Sequence, residues 1–350
     1  LKDIYDIETV GVIGSGSFGT AVANLVAKNH KVLLYARREE VKEEILRSRK
    51  NAGQDVHPRV TPCSDMERLA AECPLIFPTV PSSSFRAMIR DLSPFLKPHH
   101  ILIHATKGLD ADPHPESPGW EEAKYSRENV KTMSEVMLEE TVVLRVGAMA
   151  GPNLAMELAA RKPAATVIAS EYDEVIRMGR RVLRSERFQV YGNHDIIGVE
   201  FSGVLKNTIA IASGAVTGLD LGENARALLI TKGLSEMIRL GSVLGSDTRA
   251  FFGLAGMGDL VATCNSRLSR NFTVGYRLAR GESLDEIMAT ASEVAEGINT
   301  VKIAKRLGEH YRVRLPIIET LYDVLFAGID PREGLARLMQ FPYGRDVDFL

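Results

Sequence analysis

The chain of 350 residues, 45% of them hydrophobic, is long enough for two cores, and two domains are the expectation. With 43 Lys and Arg against 45 Asp and Glu the formal net charge is -2, which leaves no global positive field to gather nucleic acid or acidic lipid; neither is an expected partner, and an anionic ligand must be held by local sites. Cys63, Cys73 and Cys264 form no CxxC pair and have no neighbouring histidine cluster, which argues against a disulfide framework and a zinc site, leaves no metal to expect, and fits a cytoplasmic location.

The first residues, Leu1-Lys2-Asp3-Ile4-Tyr5-Asp6, carry acids where a signal peptide needs an apolar stretch, and no uncharged apolar run reaches the about 18 residues of a membrane span, so no membrane insertion is expected. Short apolar runs then alternate with helical periodicity at Val10–Gly14, Lys31–Tyr35, Pro74–Val80 and Ile101–Ala105, the rhythm of βαβ units on a parallel sheet. The first run leads into Gly14-Ser15-Gly16-Ser17-Phe18-Gly19, ahead of the helical stretch Thr20–Lys28. In that setting the spacing reads as a dinucleotide fingerprint: a tight turn at Gly14, close approach of backbone to pyrophosphate at Gly16, close helix-to-strand packing at Gly19, and phosphates on the helix N-terminus. An ordinary tight glycine turn is the competing reading. At the end of the next strand an acidic residue would hold the ribose 2′-hydroxyl of NAD, but this chain has Arg37-Arg38. Two guanidiniums suit a 2′-phosphate, so NADP(H) is the preferred cofactor and NAD(H) the alternative, because arginines at a strand end also occur as solvated charges.

The strand Ile101–Ala105 continues into Thr106-Lys107-Gly108 at the carboxyl edge of the sheet, where ligands of doubly wound folds bind; Lys107 is therefore a candidate, with a plain surface lysine as the alternative. Between Asp110 and Asn129, the run Asp110-Ala-Asp-Pro-His-Pro-Glu-Ser-Pro-Gly-Trp120 is too rich in proline and charge for an element interior and predicts an exposed insertion. Strand signals at Thr141–Val146, at Ala164–Ala169 and near Gln189 extend the sheet to about residue 195, after which the pattern is helical. The expected fold is thus α/β: a Rossmann-type doubly wound domain over residues 1–195, followed by an all-α domain over residues 196–350.

In the helical part, Phe201, Val204, Leu205, Thr208 and Ala212 share one helix face. Lys206 and Asn207 lie on the other, with Val199, Gly203, Ala210, Ser213 and Gly214. That face is too small and uncharged for ordinary solvent, so something is expected to pack on it. Gly253-Leu-Ala-Gly-Met-Gly-Asp259 delivers one carboxylate in an apolar turn; Lys206 is its expected cationic partner, and helix capping is the alternative. Arg270-Asn271 are placed to open a helix running toward Arg280, where an arginine beside a helix N-terminus suits a phosphate; an N-cap with an incidental arginine stays open.

Taken together, these motifs resemble the NAD(P)-dependent glycerol-3-phosphate dehydrogenases, especially the bacterial form, over nearly the whole chain. The carriers are Gly14–Thr20, Ala105-Thr-Lys-Gly108, Gly151-Pro-Asn-Leu-Ala155 with Glu157, Leu205-Lys-Asn207, Gly222-Glu-Asn-Ala-Arg226, Gly253–Leu260, Ser269-Arg-Asn271 and Val294-Ala-Glu-Gly297. The resemblance implies that Lys206 is the proton acceptor and that Lys107 contacts both substrate and cofactor. It also implies that Gly151, Asn153, Asn207, Asp259, Thr263, Ser269, Arg270 and Asn271 line the substrate site, and that Ser17, Phe18, Arg37, Ala155, Arg270, Val294 and Glu296 touch the cofactor. Phe18 stands where many relatives have Trp and keeps an aromatic ring beside the pyrophosphate. Asn153 stands where Ser or Thr is common, which weakens its claim, and the insertion is longer than usual. A homodimer and the supply of glycerol 3-phosphate for phospholipid synthesis are further implications.

Oxidising a secondary alcohol requires a base for the hydroxyl proton while hydride leaves for the nicotinamide, and Lys206 can serve only if it is partly neutral. The charge of Lys107 would lower its pKa, while Asp259 would oppose that and hold it in place. In the reductive direction Lys206 would donate the proton, with Lys107 stabilising the developing alkoxide. Two other readings compete. A two-domain hydroxy-acid dehydrogenase is disfavoured by the order Lys107, Lys206, Asp259, Arg270-Asn271; a non-catalytic NADP(H)-binding sensor would need no lysine pair.

Overall fold

The computed structural model describes residues 7–291 and 295–341. The chain forms two compact units: one runs to Thr106 and resumes over Met133–Ile196, and the other holds Lys107–Thr132 together with the described residues from Ile197 onward. The single boundary expected after residue 195 is therefore accompanied by an earlier exchange, in which the insertion leaves the first unit and joins the second.

In the first unit the strands are β1 (Thr9–Ile13), β2 (Lys31–Tyr35), the short pair β3 (Lys50–Asn51) and β4 (Gln54–Asp55), β5 (Val60–Cys63), β6 (Leu75–Pro78) and β7 (Ile101–His104). After β8 (Asp110–Ala111) and β9 (Val130–Lys131), which belong to the second unit, come β10 (Arg145–Ala150), β11 (Ala164–Ala169) and β12 (Phe188–Asn193). The main sheet has the order β12-β11-β10-β7-β6-β1-β2-β5 and is parallel except where β10 meets β11. Its strands are apolar on both faces, as a sheet covered on both sides requires: Val10, Val12 and Ile13 are fully buried. Helices α1 (Ser17–Val26) and α7 (Asp173–Leu183) pack on one face; α3 (Met66–Glu72), α4 (Ser82–Leu92) and α5 (Met133–Glu140) pack on the other. α2 (Glu39–Ser48) and α6 (Ala155–Ala159) complete the unit.

β1 pairs with β2 on one side and β6 on the other, so strand order reverses beside the glycine-rich loop, the position where ligands of such sheets bind. Two strands of the main sheet differ from expectation. β5 carries Pro62, which removes a ladder donor and masks the strand in sequence, yet its place at the sheet edge tolerates it. The strand expected at Thr141–Val146 lies instead at Arg145–Ala150, because its small residues are needed: a Cβ on Gly147 would come within 2.8 Å of Val175 on α7.

The second unit contains α8 (Ile196–Gly218), α9 (Gly222–Val243), α10 (Arg249–Phe252), a π-turn (Leu254–Gly258), α11 (Asp259–Cys264), α12 (Arg270–Ala279), α13 (Leu284–Thr290), α14 (Glu296–Tyr311), α15 (Pro316–Phe326) and α16 (Pro331–Met339). By length and composition α8 would suffice to cross a membrane, but 89% of its apolar window is buried inside the protein, which marks it as the core helix of this unit. The insertion is not the exposed loop that its prolines and charges predict. Trp120 is 7% exposed and Tyr125 and Val130 are fully buried; Tyr125 and Val130 join a core with Phe201 and Leu205 of α8. Lys302 of α14 donates to the Pro115 carbonyl at 3.0 Å and lies 4.7 Å from the Trp120 ring centre. Prolines set the backbone here, while widely spaced apolar side chains do the burying.

Candidate active site

The glycine-rich loop divides its glycines by physical need. Gly14 adopts φ +120, and a Cβ there would stand 2.7 Å from Thr79 Oγ1, whose residue donates N–H and O–H to the Ile13 carbonyl at 2.8 and 2.9 Å. A Cβ on Gly19 would lie 1.8 Å from the Gly14 carbonyl oxygen, so α1 starts hard against the loop. At Gly16 a Cβ would meet no protein atom within 4 Å, and the chain's own packing does not require glycine there. Glycine there leaves the backbone open to close approach from outside the chain. The first turn of α1 holds no acidic residue, and its leading N–H groups have no intrahelical partners, so the cradle suits a pyrophosphate.

The β3–β4 hairpin braces this loop, a feature the sequence reading missed. Asn51 Nδ2 donates to the Ser15 carbonyl and to Thr20 Oγ1, both at 2.8 Å, and Gln54 Nε2 donates to the Ser17 carbonyl at 2.7 Å. Only polar residues in a short hairpin could have hinted at it. The register Ile13↔Tyr35 puts the end of β2 beside the end of β1, and exposed Arg37 and Arg38 follow directly. Phe18 and Ala155 pack against the α1 core from the partly buried rim. Asn153 is 7% exposed and spends its amide nitrogen on Thr166 Oγ1 at 2.8 Å; Gly151 at φ +148 would press a Cβ within 3.1 Å of the Thr166 backbone. This loop is thus anchored on β11.

In the second unit the structure brings the candidate lysines onto one carboxylate. Asp259, 2% exposed, accepts from Lys107 Nζ at 2.6 Å through Oδ2, and its Oδ1 lies 3.0 Å from Lys206 Nζ. Lys206 Nζ also donates to Thr263 Oγ1 at 2.5 Å, and that hydroxyl lies 2.6 Å from the Asp259 carbonyl as its donor. The glycine-rich segment before Asp259 is a π-turn, a geometry often found at functional positions; Asp259 sits in the first turn of α11 and makes no capping bond. Burial pushes the Lys206 ammonium down to about 8, with Asp259 opposing and the Lys107 charge assisting. Desolvation, not the neighbouring lysine, is the larger cause, which amends the expectation from sequence.

The small, uncharged face around Lys206 is packed, as its composition demands. α12 crosses α8 at backbone contact: a Cβ on Gly214 would fall 1.9 Å from the Phe272 carbonyl oxygen, and one on Gly275 only 1.7 Å from that of Ile211. Ser269 caps α12 by accepting from Phe272 N–H at 3.2 Å, which sets Arg270 and Asn271 in the first turn. Asn271 Oδ1 accepts from Gly297 N–H at 3.0 Å, and a Cβ on Gly297 would lie 2.9 Å from the Asn207 carbonyl oxygen, so these three form a second small cluster. The Glu296 charge acts on Arg270 from the start of α14. Val294 lies outside the described residues.

Residues 9–176 match the family model described as NAD-dependent glycerol-3-phosphate dehydrogenase N-terminus, and residues 195–336 match the one described as its C-terminus. The chain is 38% identical to glycerol-3-phosphate dehydrogenase NAD(P)+ of Pseudomonas aeruginosa (strain LESB58), over 98% of this chain and 97% of that protein. With the protein of the same name from Syntrophotalea carbinolica it shares 39% identity, over 97% and 99% respectively. The solved glycerol-3-phosphate dehydrogenase of Coxiella burnetii superposes with a TM-score of 0.85 at 31% identity, covering 95% of this chain and 99% of that one.

Proposed function

The chain belongs to the NAD-dependent glycerol-3-phosphate dehydrogenase family, and from that premise we propose that it interconverts sn-glycerol 3-phosphate and dihydroxyacetone phosphate with NAD(P)(H), Lys206 taking and returning the hydroxyl proton. Membership sets aside both the hydroxy-acid dehydrogenase and the non-catalytic sensor. The observation that carries the assignment of Lys206 is its burial on Asp259 and Thr263, with the ammonium pushed down to about 8. A lysine in that range is populated in both protonation states near neutral pH, which a group acting as base in one direction and acid in the other requires.

When bound, the nicotinamide accepts or supplies the hydride. The first unit's loop at Gly14, Gly16 and Gly19, with Ser17, Phe18 and Ala155, would hold the dinucleotide, and Arg37 with Arg38 would receive a 2′-phosphate. In the second unit, Asp259 orients both lysines through separate oxygens, so each ammonium or amine is held at a set position. Lys206 removes the substrate hydroxyl proton in oxidation and returns one in reduction, while Lys107 balances charge on the substrate oxygen. Arg270, Asn271, Asn207 and Ser269 supply donors beside the α12 N-terminus for the phosphate, with Gly151, Asn153 and Thr263 completing the substrate-binding set; Glu296 and Val294 complete the cofactor set.

NADP(H) as preferred cofactor, a homodimer, a cytoplasmic location and supply of glycerol 3-phosphate for phospholipid synthesis belong to the same proposal. The test is the initial rate of NADPH and NADH oxidation with dihydroxyacetone phosphate, beside unphosphorylated dihydroxyacetone. Turnover confined to the phosphorylated ketone, faster with NADPH, is the expected result; absence of turnover in protein that binds the cofactor overturns it.

A further inference from the structure

Helix α7 carries a row of cations that this reaction does not use. Arg177, Arg180, Arg181 and Arg184 recur at helical spacing and lie along one face, all exposed. They line a groove of about 670 Å³, which also holds Asn29, Gln189 and a single acid, Glu186. Among the described residues no carboxylate pairs with Arg177, Arg180 or Arg184, whereas several exposed arginines elsewhere do have one, among them Arg68 with Glu72 at 2.8 Å and Arg337 with Glu333 at 2.7 Å.

Like charges at this spacing repel one another. The helix dipole favours cations at the C-terminal end, which accounts for Arg180, Arg181 and the C-cap Arg184 but not for Arg177 a turn earlier. Nor does it account for the continuation of the charge beyond α7. Asn29 Nδ2 donates to the Val182 and Arg184 carbonyls at 3.3 and 3.0 Å, drawing the Lys28–Asn29 turn against the helix end, and Arg59 donates to the Lys28 carbonyl at 3.1 Å. Around that turn His57 is held below its ordinary pKa, first by burial and then by the charges of Arg59, Arg161, Lys28 and Arg49. In a chain of net charge -2 this is a concentrated positive face.

We propose that the α7 groove is a binding site for an anion carrying two or more linked phosphoryl groups, sharing no residue with the dinucleotide loop. Each guanidinium offers a planar fork matched to phosphoryl oxygens. From Arg177 to Arg184 the row spans two turns, about 10 Å, longer than one phosphate and suited to a short chain of them. The concave lining contains no aromatic ring on which bases would stack, which favours a compact polyphosphate over a nucleic-acid strand.

The experiment is calorimetric titration of inorganic tripolyphosphate, ATP and orthophosphate into the whole chain saturated with NADPH, at fixed ionic strength. Tripolyphosphate should bind with one site per chain and orthophosphate far more weakly. ATP binding like tripolyphosphate marks the phosphoryl chain as the recognised element, and tighter ATP binding marks a nucleotide as its source. The double variant Arg180→Gln/Arg184→Gln should lose about tenfold affinity per guanidinium removed while its melting temperature and NADPH oxidation stay unchanged. If that variant fails to fold, Arg177→Gln alone carries the same expectation. Equal binding by wild type and variant, no binding at fixed ionic strength, or a variant that changes sedimentation without added anion overturns the proposal; the last result would assign the arginines to a contact between copies.

Discussion

Lys206 stands under two opposed influences, burial that strips its charge and an Asp259 carboxylate that preserves it, and the balance falls at about 8. The pH dependence follows directly. In alcohol oxidation kcat/KM should rise with pH through that region, because the neutral amine is the base; in ketone reduction it should fall there, because the ammonium is the acid. Rates in both directions across pH 6 to 10, with cofactor saturating, check this. Asp259→Asn removes the influence that raises the lysine pKa, so the midpoint should move below about 8 and turnover should fall, and a midpoint that stays put would dissociate Asp259 from the proton chemistry. Replacing the amine altogether is the plainer test: Lys206→Ala should cost about 100- to 10,000-fold in turnover, the usual span of general acid–base catalysis, and leave NADPH affinity unchanged. Lys206 and Asn207 were legible in sequence because an apolar helix that spends a lysine on a small, uncharged face needs a reason. The pKa was not legible, since it depends on the burial of Lys206 and on its seating beside Asp259, Thr263 and Lys107.

Two helix contacts decide how these elements are held. Gly214→Ala would put a methyl group 1.9 Å from the Phe272 carbonyl oxygen, so α8 and α12 must part; a loss of about 3 kcal/mol is expected in chemical denaturation, as for strong overpacking. The second contact is Glu236 of α9, fully buried, whose oxygens accept the Ile317 and Ile318 N–H groups at 2.7 and 3.2 Å and so cap α15 from a distance. Burial pushes its carboxyl up to about 8, against the pull of those two N–H groups and of Arg239, with Glu319 adding to the rise. The folded chain then keeps a proton that the unfolded chain releases near 4.5, so this group's contribution to stability is full below 4.5 and declines as pH rises toward about 8. Glu236→Gln should flatten that decline in urea melts taken from pH 5 to 8. Glu236→Ala, which leaves two buried donors unpaired, should cost about 2 kcal/mol at pH 5 and progressively less as pH rises toward 8. Neither contact could be read from periodicity, which names a face but not its partner.

At the scale of the whole chain, the placement of residues 107–132 is the main departure from a simple two-domain reading. They follow a strand of the first unit yet fold with the second, and they carry the only tryptophan. Trp120→Ala should therefore cost about 3 kcal/mol, as for a large buried side chain, whereas an exposed insertion would lose almost nothing. Fluorescence of Trp120 in the wild type should report unfolding of the second unit specifically, to be compared with circular dichroism of the entire chain. The alternation of strands and helices, the glycines at Gly14 and Gly19, the helix opened by Arg270-Asn271 and the family were all readable from the chain as written, because turns and helical faces are short-range and each needs particular residue types within a few positions. The brace from Asn51 and Gln54, the shift of the strand to Arg145–Ala150, the burial of the insertion and the seating of Lys107 on the carboxylate already expected to pair with Lys206 were not. Lys107 meets Asp259 across 152 residues, and Lys206 meets Thr263 across 57. Proton affinity and burial at such contacts are properties of packing, which emerge only when distant segments exclude water together.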